Sequence, residues 1–347
     1  MPSVDVAILT SGHNPEDGRL VRHVAALQRA GMSVDLSYRN STNRFDRFLR
    51  GPWWALGEIR RTRPKSVILP DPELQLFVAP IARRWTKIVS DVHEDYGAVA
   101  LDRSWINKFL SPAVKLLLFV LAKIRHRYSV ATIVADRRID ATAVLVTNRP
   151  NVIDLPIPKP EIERSRLVYV GDVRLSRGLQ AMLDLLVRVP DVQLDIVGPC
   201  TDQEELACLV RSARLKARVE YHGRLPYIES WELASNALAG LCLLEPTPAF
   251  ELTRPTKLWE YWTVGVPVLA SDLSGQRELI QQSEGGMFGD LDLLENVLTK
   301  WRNNPLEARQ VGLSGRRFVE SSDDGSESRL VEVMRQDDAG SASSIRS

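Results

Sequence analysis

The chain has 347 residues, of which 44% are apolar and 26% charged, and its formal net charge is +1. That length exceeds what one hydrophobic core usually organises, so two domains are expected. The balanced charge excludes an overall field that would recruit nucleic acid, and Cys200, Cys208 and Cys242 lack metal-ligand spacing, which reads as free thiols in a reducing cytoplasm. The opening MPSVDVAILTSG has neither the basic lead nor the cleavage site of a signal peptide. The apolar run Leu116 to Ala122 is far shorter than the roughly 20 residues of a membrane span. A cytoplasmic protein is expected.

Along the chain, β-branched runs alternate with helical stretches. Strands are predicted over 4–10, 34–38, 66–70, 87–92, 129–135 and 143–148, and again over 166–171, 192–198, 218–223, 238–245 and 266–271. Continuous apolar strands separated by helices predict parallel sheets covered on both faces. Between the two series, Pro150, Pro156, Pro158 and Pro160 fit an extended linker. The expected organisation is an α/β chain of two doubly wound domains, 1–150 and 166–320, joined by a linker over 151–165. A polar tail over 321–347 follows, with one helix around 329–335 and then disorder. Ligands in such folds bind beyond the carboxyl ends of the strands, and two domains facing each other would leave a central cleft there.

The stretch RPTKLWEYWTVGVPVLASD, 254–272, places one acid, Glu260, in a nearly apolar helix. Pro255 suits the first turn of that helix and Gly265 its end. The helix start favours an anion, and Lys257 and Glu260, three apart, share one face. A base near the helix start and an acid one turn on could grip a phosphate and then a sugar diol. On spacing alone, a surface ion pair of little energetic weight is the plainer reading.

These residues resemble the "P-x-K-x-x-E-Y-x-x-x-G-x-P-V-x-A-S" signature of glycosyltransferase family four, which has the GT-B fold of two Rossmann-like domains facing a cleft. VYVGDVRLSRGL (168–179), VEYHGRLPYIESWELASNALAGLCLLEP (219–246) and GGMFGDLDLLENVLTKWRNNPLEARQVGLSGRRFV (285–319) are similar to the same family in order. So are HNPEDGRLVRHVAALQRAGMSVDL (13–36) and PDPELQLFVAPIARRWTKIVSDVHEDY (70–96), which look like one N-terminal-domain subset. The resemblance implies a metal-independent, retaining transferase moving a sugar from a nucleoside-diphosphate sugar to an acceptor hydroxyl. No further cofactor is implied. It gives Glu260 the donor ribose, and Arg177, with Arg174 and Lys257, the donor diphosphate. His93, with Arg177 and Lys257, is expected at the catalytic centre. Gly171, Gly223, Leu225, Tyr227, Glu251 and Leu258 complete the expected donor side, and His13, Asp17, Arg19, His93 and Glu94 the acceptor side. Asp91 and Asp95 are expected either to bind acceptor or to cap the following helix. The implied setting is polysaccharide or glycolipid assembly at the inner membrane face, with a saccharide or lipid-linked acceptor.

Three departures stand out. The first of two family acids would fall at Leu252, with Glu251 one residue away. The N-terminal loop reads EDGRL in place of a glycine pair. Asp172 stands where an arginine is usual, with Arg174 as its replacement. A non-catalytic GT-B binding or assembly protein, and a sugar-nucleotide epimerase, are the alternatives these departures leave. Asp290 and Asp292 mimic a metal-binding D-x-D but open a helix, so a cap is the expected role. His13, His23, His93, His126 and His222 form no zinc-binding pair, and no metal site is expected. The segment 104–128, with Lys108, Lys115, Lys123, Arg125 and Arg127 around Trp105, Phe109 and a leucine run, reads equally as a helix on the domain surface or as one lying on an anionic membrane.

Overall fold

The computed structural model describes residues 4–40, 43–92, 111–159, 163–200, 206–207, 211, 215, 217–248 and 250–336. His93, Glu94 and Asp95 lie outside the described residues. The chain forms two units: Met1–Asn148 together with the chain from Asp324 onward, and Arg149–Asp323.

The first unit runs β1 (Val6–Thr10), α1 (Gly18–Arg29), β2 (Val34–Tyr38), α2 (Arg44–Thr62), β3 (Ser66–Leu69), α3 (Pro72–Phe77), α4 (Ala79–Ala82), β4 (Lys87–Val92), α5 (Ser111–Tyr128), β5 (Ala131–Val134) and β6 (Val144–Leu145). Its six strands are parallel, in the order β2-β1-β3-β4-β5-β6. Side chains alternate across the pleat, so the sheet feeds two cores. Ile8, Ile68, Val89 and Ile133 pack with Leu20 and Leu27 of α1, whereas Ala7, Leu9, Val67, Leu69 and Ile88 pack with Ala55, Leu56 and Ile59 of α2. The helix of the tail, Ser326–Arg335, belongs here too: Leu330, Val333 and Met334 complete the core on the α1 side.

Helix α5 packs on α3 and α4 and buries Leu121, while Leu116 and Phe119 face outward with Lys123 5.3 Å from the Phe119 ring. No helix among the described residues is long and apolar enough to cross a membrane.

One buried polar cluster ties α1 to β4. Arg19 Nε and Nη2 donate to Asp91, at 2.6–3.1 Å, and Nη1 donates to the Val146 carbonyl and to Asn148. His23 Nε2 lies 3.2 Å from Asp91 Oδ2, the oxygen that Arg19 Nε reaches at 2.8 Å. Burial opposes ionisation of Asp91, but the charge of Arg19 and the hydrogen bonds from His23 and Arg19 hold its carboxyl well below the usual carboxylate range. Burial, helped by the charge of Arg19, pushes His23 down. Both shifts have one sign, because the unfolded chain binds protons that the folded one does not. Acidification should therefore lower the melting temperature, first below about 6.5 through His23 and then below about 3.8 as Asp91 approaches its folded pKa. His13, shifted upward, works against the first trend. The check is thus the difference between wild type and His23→Gln: the variant should lose less stability between neutral and mildly acid pH, and parallel curves would refute this.

The second unit runs β7 (Glu163–Val170), α6 (Leu179–Arg188), β8 (Gln193–Val197), β9 (Val219–Gly223), α7 (Tyr227–Ala234), β10 (Ala237–Cys242), α8 (Thr256–Thr263), β11 (Val268–Ala270), α9 (Ser274–Ser283), β12 (Gly286–Phe288), α10 (Leu291–Asn303) and α11 (Pro305–Ser321). Its parallel sheet has the order β12-β11-β10-β7-β8-β9. In both sheets the first strand is flanked by two later ones, so the winding reverses beside it. This switch lies between β1 and β3 in one unit and between β7 and β10 in the other, and ligands of open α/β sheets bind at such points.

Candidate functional site

Helix α8 is held rigidly over the β7/β10 switch. The Tyr261 hydroxyl accepts from the Val170 N–H at 2.9 Å and donates to the Val168 carbonyl at 3.1 Å. Its ring lies on Gly240, where a Cβ would come within 2.5 Å. Trp259 stacks on Phe318 of α11, and the Trp262 indole donates to the Gly285 carbonyl at 2.8 Å. The aromatic residues around Glu260 therefore anchor the helix in the core.

Glu260 itself is 8% exposed and accepts from the Tyr227 hydroxyl at 2.7 Å. Tyr227 begins α7, so the acid's partner comes from the neighbouring strand–helix unit. Lys257, 9% exposed, lies with its Nζ 3.8 Å from the Tyr169 ring centre. That Nζ is enclosed and has no hydrogen-bond partner among the described residues. A Cβ on Gly171, just past β7, would lie 2.9 Å from it. The two residues are both buried.

The surrounding loops approach closely because of glycine. Gly178, at φ +88°, precedes α6, and a Cβ there would sit 1.7 Å from the Leu243 carbonyl oxygen just beyond β10. Gly178 also ends the 3-10 turn Leu175–Arg177, which brings Arg177 to within 5.5 Å of the Phe250 ring. Cys242, at the end of β10, is fully buried; burial pushes its thiol up against the opposing charges of Lys257 and Arg177. Two bases thus converge on the carboxyl ends of β7 and β10. A buried carboxylate tied to one hydroxyl can accept from others, and enclosed cations suit a diphosphate.

The β1/β3 switch of the first unit carries a second polar cluster. Asp71, fully buried just past β3, accepts at one oxygen from the Thr10 hydroxyl and the N–H groups of Ser11 and Gly12, at 2.7–3.2 Å. Its other oxygen lies 2.7 Å from His13 Nδ1 and 3.0 Å from Arg47 Nη2. Glu73, also buried, accepts from the Ser11 hydroxyl and from Arg47.

A glycosyl transferase-like family model matches residues 174–335. No curated protein sequence matches the chain. Among solved structures, HepE of Anabaena in complex with UDP-glucose superposes with a TM-score of 0.66 at 12% identity, over 95% of this chain and 98% of that one. Sucrose-phosphate synthase of Thermosynechococcus elongatus gives 0.67 at 15% identity, over 94% and 97%. WaaG, a glycosyltransferase involved in lipopolysaccharide biosynthesis, gives 0.64 at 12%, over 96% and 100%. The fold is GT-B.

Within this GT-B chain the expected donor residues divide. Lys257, Glu260, Tyr227, Gly171 and Arg177 come from the carboxyl edge of the second sheet and the helices above it. Leu258 is fully enclosed and its N–H is bonded to the Pro255 carbonyl at 3.1 Å, so it packs the helix. Leu225 lines a polar cavity with Arg166, Asp195 and Glu229. Arg174 is more than half exposed and pairs with Asp172 at 2.7 Å. Glu251 accepts from the Ser274 hydroxyl and N–H at the start of α9, while the neighbouring Leu252 is exposed. Gly223, at φ +66°, ends β9 in open space, and its carbonyl accepts from the Gly198 N–H at 2.7 Å.

On the other unit, Asp17 caps α1 by accepting from the Arg19 N–H at 2.9 Å. Arg19 is enclosed by the Asp91 cluster, which makes Asp91 and Arg19 structural partners. Asp71, Glu73 and Arg47, unassigned by motif reasoning, gather instead around His13. The signal for them was the acid pair of D-P-E-L directly after a buried strand. Asp290 caps α10 through the Leu293 N–H, and Asp292 pairs with Arg188. Among the described residues one group, Asp195, Glu220 and His222, has metal-ligand spacing. Arg166 already donates to both Asp195 oxygens and to Glu220, so a cation there would have to displace a guanidinium.

Proposed function

We propose that this protein is a glycosyltransferase that moves a sugar from a nucleoside-diphosphate sugar to an acceptor hydroxyl. The observation that carries the reading is the pair on α8: a buried acid oriented by Tyr227, and, one turn earlier, a buried ammonium without a hydrogen-bond partner among the described residues, beside Gly171. In this reading Glu260 accepts both ribose hydroxyls, and Lys257 and Arg177 meet the diphosphate. Their charge would stabilise the leaving nucleoside diphosphate as the glycosidic bond breaks, a role that needs no divalent ion. The UDP-glucose complex of HepE supports a uridine nucleotide, and the WaaG likeness supports glycolipid or polysaccharide assembly. The outward Leu116 and Phe119 of α5, with Lys123 beside them, support an acceptor presented at an anionic membrane surface.

A second reading, a GT-B protein that binds a sugar nucleotide without transferring the sugar, is favoured by the engagement of Glu251 with Ser274 and the exposure of Leu252. One assay separates the two. Purified protein is given UDP-, GDP- and ADP-sugars, with acceptors offered as free saccharides and as glycolipids in anionic vesicles. Diphosphate release that depends on acceptor is expected. Donor-induced thermal stabilisation without release would favour the binding protein, and neither response would sink both readings.

A further inference from the structure

We propose that helix α2 seats the first unit on an anionic phospholipid bilayer, through an exposed stripe formed by Phe45, Leu49 and Trp53. Lipid binding is a property of this surface alone. Its use in bringing an acceptor to the protein rests on the transferase reading, to which it adds a docking face and a lipid class.

The three residues recur every four positions, so they follow one another along one side of the helix. Phe45 is 77%, Leu49 59% and Trp53 75% exposed, and Phe48 beside them is half exposed. The unit does not expose apolar side chains evenly. Among the described residues of α1 and the tail helix, which cover the other face of the sheet, no large apolar side chain is exposed. Helix α2 packs on α3, and α5 on α3 and α4, so these four helices form one layer. Phe77, Ile81, Trp85, Leu116 and Phe119 are exposed on that same layer. A contiguous apolar surface of this kind marks an interaction site.

Charge selects the occupant. Over 44–62, 72–86 and 111–128, lysine and arginine number eleven and aspartate and glutamate three, in a chain whose formal net charge is only +1. The three acids are paired: Asp46 with Arg39 and Arg50, Glu58 with Arg61, and buried Glu73 with Arg47. Two such layers would repel each other, which disfavours a second copy of the chain, whereas an anionic bilayer attracts the layer. The bases stand among the rings, with Arg60 4.6 Å from the Trp85 ring centre and Lys123 5.3 Å from that of Phe119. Their long stems can lie along apolar surface while the charged ends reach lipid phosphates. The first turn of α2 also carries Arg47, which donates to Asp71 and Glu73 just past β3. A seated α2 therefore holds the β1/β3 switch close to the headgroups, where a lipid-linked acceptor would present its sugar.

The test floats full-length protein with vesicles of phosphatidylcholine, with and without phosphatidylglycerol. The wild type should float with the anionic vesicles, less so at high salt and far less with phosphatidylcholine alone. Phe45→Ser combined with Trp53→Ser should lower the anionic partition by about tenfold or more. A second measurement does not depend on how that variant folds. Trp53 emission, read as the difference between wild type and Trp53→Phe, should be quenched by brominated phosphatidylcholine in the anionic vesicles. A wild type that does not float, a double variant that floats as well as wild type, or an unquenched Trp53 overturns the proposal. So does a dimer in sedimentation velocity that the double variant dissolves, which would give the stripe to a second copy. Turnover of a sugar nucleotide on a free saccharide should be the same in wild type and double variant. Its absence from both, with flotation intact, overturns the transferase reading and leaves the lipid surface standing.

Discussion

Glu260→Ala should abolish the thermal stabilisation that a sugar nucleotide gives the wild type. Hydrogen bonds to a charged group contribute roughly 1.5–3 kcal/mol each, so losing both ribose contacts should weaken the donor by about two to four powers of ten. The same substitution removes the carboxylate to which the Tyr227 hydroxyl donates, and that should lower the stability of the unliganded protein by about 1–3 kcal/mol. Tyr227→Phe separates these effects. It keeps the carboxylate but removes the hydroxyl that orients it at 2.7 Å, so donor binding should weaken without disappearing. An unchanged donor-induced shift in Glu260→Ala would remove the acid from the ribose. Calorimetry of both variants with the preferred donor is the measurement.

Lys257→Met should move stability and binding in opposite directions. The Lys257 side chain is enclosed and its Nζ finds no hydrogen-bond partner among the described residues, leaving the Tyr169 ring at 3.8 Å as its compensation. A cation–ring contact contributes about 0.5–2 kcal/mol, less than the desolvation of a buried unpaired charge. Methionine has similar length and no charge, so the unliganded variant should melt at or above the wild-type temperature. Without the ammonium, affinity for the donor diphosphate should fall by about 10²-fold, in line with the loss of a charge-assisted contact. A variant that melts markedly lower, and still binds donor, would mean that Lys257 serves the fold. Thermal melting with and without donor reads both effects in one experiment.

The strands were legible as short runs rich in β-branched and apolar residues between helical stretches: 34–38 and 87–92 coincide with β2 and β4. Strand β12 was missed because Gly286–Phe288 is short and embedded in GGMFG, which carries too few apolar residues to show a period. The tail helix was legible as a helix, but not as part of the first unit. Its partners, Val6, Ile8 and Leu20, stand more than three hundred residues earlier, and no local pattern encodes such a contact.

The candidate site was legible where one helix holds it, since Lys257 and Glu260 share a face by spacing alone. It was illegible where a contact joins distant loops. Nothing in HNPEDGR announces that His13 meets Asp71, and Arg19 looks like a ligand-facing base until Asp91 encloses it. The two leftover acids resolve the same way: Glu251 answers the first turn of α9, and Asp290 the first turn of α10.

The most direct measurement of the account is a crystal structure of the protein soaked with UDP or its preferred sugar nucleotide. The account predicts both ribose hydroxyls within hydrogen-bonding distance of the Glu260 carboxylate, and diphosphate oxygens against Lys257 Nζ beside Gly171. A nucleotide bound elsewhere, with Glu260 still held only by protein groups, would contradict it.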